Sequence, residues 1–235
     1  MIRGLSVLAV VPARGGSKSI PRKNLAQVGG MSLVGRAAAL AKGIAWIDRV
    51  IVSTDDQEIA DEAVRHGAEA PFLRPEALSS DTASSKDMWR HAWDAAETHY
   101  GQAFDLSVLL EPTSPLRRAA DIDRTVATML DQDAAAAATV SRTPAHYTPH
   151  KTLTADDGTI GFYLPNGAQH SLRQTIPAYY HRNGACYALR RATLFEHDAI
   201  IERDCRAVVI DRHLVNIDDT FELELAAWLL ARDSE

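Results

Sequence analysis

Cysteine is scarce in this sequence, and its spacing gives no sign of a metal site. The 235 residues contain two cysteines, Cys186 and Cys205, which form no CxxC pair. This excludes a small disulfide-stapled scaffold and a cysteine-based zinc module. We expect both cysteines to be reduced core thiols of a cytoplasmic protein.

Long apolar runs and a net positive charge are also lacking. The apolar run at 134–140 is far shorter than the roughly 20 residues that a membrane helix needs. No N-terminal pattern resembles a secretory signal. The formal net charge is −6, whereas nucleic-acid-binding domains are usually basic. We therefore expect neither a membrane nor a nucleic acid as a partner.

What the sequence does have is a regular alternation of apolar runs and helical patterns. Near-continuous apolar runs predict strands that are covered on both faces. Strand and helix in alternation predict an α/β fold with three layers, Rossmann-like, around a mostly parallel sheet. The expected strands are 5–13, 49–53, 106–110, 134–140, 184–189, 207–210 and 214–217, and the expected helices are 32–42, 56–66, 86–98, 121–130 and about 220–231.

The alternation breaks between residues 141 and 183. This segment holds four prolines and four of the nine histidines. It is too polar and proline-rich for a central strand, and too long for a structureless connection. We predict a core of residues 1–140 and 184–235, with 141–183 as a projecting insertion that has short strands of its own. A loose surface excursion is the alternative.

The loop after the first expected strand concentrates positive charge. PARGGSKSIPRKN, residues 12–24, contains four Lys or Arg side chains and two adjacent glycines. Glycines let backbone N–H groups approach an anion closely, and the cations add attraction for phosphate. Loops at the carboxyl ends of parallel strands are where α/β sheets bind ligands, so residues 54–56 and 111–115 should share this rim. The loop predicts phosphate binding, with a solvated basic turn as the alternative.

The spacing of this loop excludes two common phosphate motifs. It lacks the G-x-x-x-x-G-K-[ST] pattern of a P-loop and the G-x-G-x-x-G pattern of a dinucleotide site. Another class of nucleotide site is therefore needed.

Several motifs, in order along the chain, resemble those of the CMP-N-acylneuraminate (CMP-sialic acid) synthetases, the nonulosonate cytidylyltransferases. They are PARGGSKSIPRKN, VIVSTDDQEIADEAVRHGAEAPFLRPEALSSDTASS, LLEPTSPLR, HKTL, LRQTIPAYYHRNGACY and NIDDTFELELA. The resemblance implies a nucleotidyltransferase fold in which 141–183 is a dimerisation arm. It also implies a homodimeric, Mg2+-dependent enzyme that transfers CMP from CTP to the anomeric hydroxyl of a nonulosonic acid, a small acidic acceptor, and releases pyrophosphate.

The resemblance assigns the nucleotide side of the site. Arg14, Lys18 and Lys23 would grip the triphosphate. Asn24 and Arg74 would read the cytosine. The remaining nucleotide-binding positions would be Ala13, Gly15, Gly16, Ser17, Ser84 and Ser85, of which Ser84 also fits a helix N-cap.

The same resemblance assigns the acceptor side. Lys151 and Arg173 match the cations that hold the sugar carboxylate, and an arginine fork can donate two parallel hydrogen bonds to such a group. Tyr187 matches an aromatic wall residue, and Thr113 belongs to the acceptor loop. Glu111 stands where relatives have Gln, so the acceptor pocket is more acidic than the pattern predicts.

The expected metal site departs most from the resemblance. The family pattern D-I-D-T has two carboxylates, whereas this chain reads N-I-D-D at 216–219. Asp218 keeps one carboxylate and Asn216 offers an amide oxygen, so these two are the expected Mg2+ ligands. Asp219 is better explained as a helix N-cap paired with Glu222, although a one-residue shift would make it the ligand.

Two other functions stay open on the sequence alone. A cytidylyltransferase that acts on a phosphonate acceptor would fit the altered Glu111 and Asn216. A catalytically impaired nucleotide-binding protein rests on Asn216 alone. Asp211 and Glu111 are the carboxylates available to compensate for it.

Overall fold

The elements of the fold follow the predicted alternation of strands and helices. The computed structural model describes residues 1–170 and 172–232. Residue 171 of the expected insertion and residues 233–235 of the expected core lie outside them. The strands are β1 (Val7–Pro12), β2 (Gln27–Val28), β3 (Met31–Ser32), β4 (Arg49–Ser53), β5 (Leu106–Leu109), β6 (Ala136–Arg142), β7 (Leu153–Asp156), β8 (Thr159–Phe162), β9 (Tyr180–Arg190) and β10 (Cys205–Val209). The helices are α1 (Leu33–Lys42), α2 (Gln57–Arg65), α3 (Ser85–Tyr100), α4 (Ala119–Asp131), α5 (Arg191–Phe195) and α6 (Thr220–Arg232).

The central sheet is mostly parallel, as predicted. Among the described residues, six strands pair in the order β10-β6-β9-β5-β1-β4. β1 runs parallel to β4 and β5, and β10 runs parallel to β6, whereas β9 is antiparallel to β5 and β6. The α/β fold class is therefore confirmed. The carboxyl ends of β1, β4 and β5 meet at one edge.

Both faces of the sheet are covered, which explains the continuous apolar runs. Val7, Ala9 and Val11 of β1 pack in one cluster with side chains from α1, α2 and α4. The alternate residues Leu8 and Val10 pack on the opposite face with side chains from α3 and α5. Successive side chains of a strand point to opposite faces, so a strand buried on both sides must be apolar at every position. The result is a three-layer structure.

One expected strand is wrong. Residues 214–217 are not a strand, because their backbone pairs with a loop instead of the sheet. The Ile217 N–H donates to Thr113 O at 2.8 Å. Val215 and Ile217 pack into a third apolar cluster beside Leu116 and Ala226 of α6. The apolar side chains that suggested a strand belong instead to this small cluster under α6.

The ends of the segment 141–183 belong to the central sheet. Arg142 of β6 pairs with Tyr180 of β9. Polar residues are tolerated here because they satisfy one another: Thr139 Oγ1 donates to Asn183 Oδ1 at 2.6 Å, and Asn183 Nδ2 donates to Ser141 Oγ at 3.0 Å. Between these ends lies the exposed hairpin of β7 and β8. The division into a core and an insertion stays a prediction.

The described helices are too short or too polar to span a membrane. Within residues 1–170 and 172–232, no helix combines the length and the apolar character required to cross a bilayer.

We predict that Gly35→Ala destabilises the fold, although alanine normally favours a helix over glycine. The added methyl group would lie 2.7 Å from Ser32 Oγ and overlap the His66 ring. Overpacking of this kind typically costs about 1–3 kcal/mol in the free energy of unfolding. Gly43→Ala is the matched control, because its nearest neighbour would be Leu40 O at an ordinary 3.5 Å. Urea unfolding of both variants checks this. Equal stabilities would contradict the close packing of α1 on α2.

Candidate active site

A cleft opens at the edge of the sheet where β1, β4 and β5 end. The loops after these strands supply its walls, together with the start of α3. This is the place where an open α/β sheet binds ligands. The lining residues are Pro12, Arg14, Asn24, Arg74, Leu78, Ser80, Asp81, Ala83, Ser84, Ser85, Met88, Leu109, Glu111, Pro112 and Thr113. Seven of the sequence-predicted site residues are thus brought together: Arg14, Asn24, Arg74, Ser84, Ser85, Glu111 and Thr113.

The basic loop is held to the sheet by backbone and amide hydrogen bonds. The Ala13 N–H donates to Ser53 O at 3.0 Å, which continues the pairing of β1 with β4. The Gly15 N–H donates to Asp55 Oδ1 at 2.9 Å, and Asn24 Nδ2 donates to Arg14 O at 2.9 Å. Asn24 therefore ties the two ends of the loop together from a buried position.

Two of the loop cations are paired with one carboxylate across the cleft. Arg14 Nη1 lies 2.9 Å from Asp81 Oδ1, and Lys18 Nζ lies 2.5 Å from Asp81 Oδ2. The hydrogen bond from Lys18 has the largest effect, and together with the one from Arg14 it holds the pKa of the Asp81 carboxyl below its usual value. Gly16, Ser17 and Lys18 line a shallow depression beside this cluster. Asp81 thus faces the cations that the sequence assigns to a triphosphate.

Lys23 points to a different part of the rim. Its Nζ donates to Ile217 O at 2.8 Å and lies 3.3 Å from Asp218 Oδ1. Ser19 Oγ also donates to Asp218 O. The loop after β1 and the segment before α6 are therefore joined through Lys23 and Ser19. A cation and a carboxylate stand side by side where they meet.

Arg74 is anchored so that its guanidinium borders the cleft. Its Nη2 donates to Ser53 O at 2.9 Å, and its backbone N–H donates to Thr54 O at 2.7 Å. Burial lowers the pKa of Arg74. Its buried Nε has no hydrogen-bond partner among the described residues. Ser84 caps α3, accepting from the Lys86 N–H at 3.2 Å, while it also lines the cleft, so both readings of Ser84 fit.

The expected acceptor residues are divided between two places. Glu111 and Thr113 line the cleft, whereas Arg173 lines a separate groove with Arg142 and Tyr179. Lys151 is half-buried near Thr148, whose carbonyl oxygen accepts from the Lys151 backbone N–H at 2.9 Å. In this single chain neither of these two cations lines the cleft.

Tyr187 lies inside the fold. It is 6% exposed and packs in the apolar cluster under α3. Burial, and next the charge of Glu111, raise the pKa of its hydroxyl. Tyr187 is therefore close to the acceptor end of the cleft without being among the residues that line it.

The expected metal ligands sit on the exposed edge of the rim. Asn216 and Asp218 are both exposed. Asp219 Oδ1 accepts from the Glu222 N–H at 2.9 Å, and Glu222 Oε2 accepts from the Asp219 N–H at 3.2 Å, which is the predicted capping box of α6. Among the described residues, no three His, Cys, Asp or Glu side chains cluster as metal ligands. One carboxylate and one amide fit Mg2+ that keeps several waters and binds substrate phosphates.

Sequence reasoning missed two residues that organise the site. Asp81 pairs with the loop cations, but nothing in its local pattern identifies a carboxylate that pairs with a loop so far away in sequence. Arg117 is buried and donates to Glu111 O at 2.5 Å and to Gly184 O at 3.1 Å. Its place in LLEPTSPLR, directly after Leu116, was a signal, since an arginine among apolar residues is seldom fully buried unless it is paired.

Comparisons with known proteins identify the family. Residues 8–225 match the family model described as Cytidylyltransferase. The chain belongs to the cytidylyltransferase family. The pseudaminic acid cytidylyltransferase of Campylobacter jejuni is 29% identical over 94% of this chain and 95% of its own length. The N-acylneuraminate cytidylyltransferase of Escherichia coli is 28% identical over 94% of this chain and 51% of its own length.

A solved structure supports the fold. CMP:2-keto-3-deoxy-manno-octonic acid synthetase, complexed with CTP, has a TM-score of 0.71 and 19% identity, with 97% of this chain and 99% of that chain covered. The expected resemblance to nonulosonate cytidylyltransferases is confirmed by the family match and the curated relatives, and so is the enzyme class. This cytidylyltransferase is a CTP-dependent nucleotidyltransferase.

We predict that Asp81→Asn tightens CTP binding by this cytidylyltransferase. If the triphosphate binds Arg14 and Lys18 as the sequence predicts, it has to displace Asp81 from them, and removal of the charge removes that competition. An exposed pair of this kind corresponds to an effect of about two- to fivefold, smaller at high salt. Titration calorimetry at two ionic strengths measures it. Asp131→Asn is the control, because Asp131 pairs with Arg3 and does not line the cleft. Weaker CTP binding would mean that Asp81 assists the nucleotide.

Proposed function

We propose that this enzyme transfers CMP from CTP to the anomeric hydroxyl of a nonulosonic acid of the sialic type and releases pyrophosphate. Three cations, Arg14, Lys18 and Lys23, lie on one loop at the carboxyl edge of the sheet. Asn24 and Arg74 border the cleft beside this loop. This grouping is the observation that carries the proposal. The names of the curated relatives support a nonulosonic acid as the acceptor.

In the proposed reaction the chain acts mainly by positioning and by stabilising charge. The acceptor oxygen attacks the α-phosphorus, and the bond to the bridging oxygen of the β-phosphate breaks. Arg14 and Lys18 would hold the triphosphate, and Lys23 would face the leaving pyrophosphate. Fixed cations stabilise the charge that grows on transferring phosphorus without reorganising. Asn24 and Arg74 would offer amide and guanidinium groups to the cytosine.

We propose Asp218 and Asn216 as the residues that hold Mg2+. A bound magnesium ion would neutralise phosphate oxygens during transfer. Asp218 supplies one carboxylate, and the remaining ligands would be water and substrate phosphates, as is usual for this ion.

We further propose a homodimer in which the segment 141–183 of one subunit completes the cleft of the other. Arg173 and Lys151 lie on this segment and do not line the cleft of their own chain. The segment also exposes Tyr147, Ile160 and Leu172. Large exposed apolar side chains on one element are typical of a surface that a partner covers. A second copy would cover them and bring the cations to the acceptor.

A panel of acceptors tests the proposed reaction. The enzyme is incubated with CTP, Mg2+ and sialic, legionaminic, pseudaminic or phosphonate acceptors, and pyrophosphate release is measured. We expect release with one nonulosonic acid, together with a CMP-sugar in equal amount. Release with a phosphonate alone would make the acceptor assignment wrong. CTP binding without turnover on any acceptor would point to an impaired nucleotide-binding protein.

Mixing two inactive variants tests the shared site. We expect Lys23→Ala and Arg173→Ala each to lose most of the pyrophosphate release, because one lacks a triphosphate cation and the other an acceptor cation. Subunits exchanged between the two variants would form one intact site per mixed dimer, so about a quarter of the wild-type activity returns.

The control pairs Lys23→Ala with Arg14→Ala. Both substitutions lie on the same loop of the same subunit, so mixed dimers contain no intact site and activity stays low. Restored activity in the first mixture alone supports the shared site. No restoration there, with subunit exchange verified by mass spectrometry, would contradict it.

A further inference from the structure

Glu111 is a half-buried carboxylate that lines the cleft. Its side chain follows β5 and lines the cleft with Thr113. Among the described residues, its carboxylate oxygens take part in no hydrogen bond and no ion pair, whereas the nearby Asp218 and Asp81 are both ion-paired. Unpaired carboxylates that are largely removed from water are costly, so one kept at a reaction site calls for a functional explanation.

The fold fixes this carboxylate without neutralising it. Arg117 donates to the carbonyl oxygens of Glu111 and Gly184, at 2.5 and 3.1 Å. Ser114 Oγ donates to Asn183 O at 2.6 Å. Gly184 has φ +68°, and a methyl group on it would overlap the Glu111 carboxylate. A glycine in this backbone region therefore leaves the room that the Glu111 side chain occupies.

The charges that face Glu111 come from several elements. They belong to Arg117, which donates to the Glu111 carbonyl oxygen, to Arg182 on β9, to Lys23 on the basic loop and to Asp218 before α6. The charge of Glu111 in turn raises the pKa of the Tyr187 hydroxyl. Burial is the largest influence and raises the pKa of Glu111, Asp218 raises it further, and the three cations oppose this.

The segment that carries the expected metal ligands runs beside Glu111. The Ile217 N–H donates to Thr113 O, which places residues 216–218 along the loop 111–113. In this chain Asn216 replaces a carboxylate of the family pattern, and Glu111 replaces a neutral Gln. The two departures lie on segments that run side by side on one rim.

We propose that Glu111 is the general base of the transfer. It accepts the proton of the acceptor hydroxyl as that oxygen bonds to the α-phosphorus, the bond between this phosphorus and the bridging oxygen breaks, and pyrophosphate leaves with the electron pair. The proton stays on Glu111 until solvent removes it. The inference rests on the proposed function, since it requires a hydroxyl acceptor.

Glu111→Gln is the decisive variant, because it keeps the shape of the side chain and removes the base. We expect kcat to fall about 100-fold or more, the lower range for loss of a general base. CTP and Mg2+ affinities, measured by calorimetry, should match those of the wild type. Glu224→Gln, an exposed residue of α6, is the control for a lost carboxylate.

The pH profile supplies a readout that a structural role would not change. Protonated Glu111 accepts no proton, so acidification should lower the kcat/KM of the wild type, and this acid limb should be missing from Glu111→Gln. Activity of Glu111→Gln within about threefold of the wild type, an unchanged acid limb, or loss of CTP or Mg2+ affinity would each overturn the inference.

The acceptor panel separates this inference from the proposed function. If the wild type turns over a nonulosonic acid and Glu111→Gln does so equally well, the inference alone fails. If the wild type turns over no hydroxyl acceptor, the proposed function and the base fail together.

Discussion

The arrangement of the whole rim depends on holding several cations close together before any ligand binds. Arg14, Lys18, Arg22 and Lys23 share one short loop, and like charges at such distances repel one another. Each of them is countered by a carboxylate: Asp81 for the first two, Asp56 for Arg22 and Asp218 for Lys23. These carboxylates come from three different parts of the chain. The sheet brings those parts together, and their carboxylates add to the hydrogen bonds that hold the basic loop in shape.

The same constraint explains how an acidic protein carries several cations on one rim. The net charge is −6, yet the carboxylates at the rim are largely occupied by the loop cations. In the proposed binding mode a triphosphate would replace Asp81 at Arg14 and Lys18, on a loop whose backbone Gly15 and Asn24 tie to Asp55 and to Arg14 O. The site would then exchange one anion for another.

The sequence predicts the parts of this fold that depend on local pattern. A strand buried on both faces must be apolar throughout, so β1, β4 and β5 were placed within one or two residues, and the rim loops followed from them. A local hydropathy pattern does not specify which distant segment the backbone pairs with. Residues 214–217 have the hydropathy of a strand, but the Ile217 N–H bonds to Thr113 O in a loop. Asp81 was missed for the same reason, since its partners lie far away in sequence.

The two departures from the family pattern make sense together as a matter of charge. With Gln at 111 and Asp at 216, the rim would carry carboxylates at 216 and 218; here it carries them at 111 and 218, so the number is unchanged. What changes is the surroundings. Asn216 is exposed, whereas Glu111 is partly buried with Arg117 beneath it. Charge interacts more strongly where water is excluded. A carboxylate at position 111 therefore interacts more strongly with a group in the cleft than a carboxylate at position 216 would.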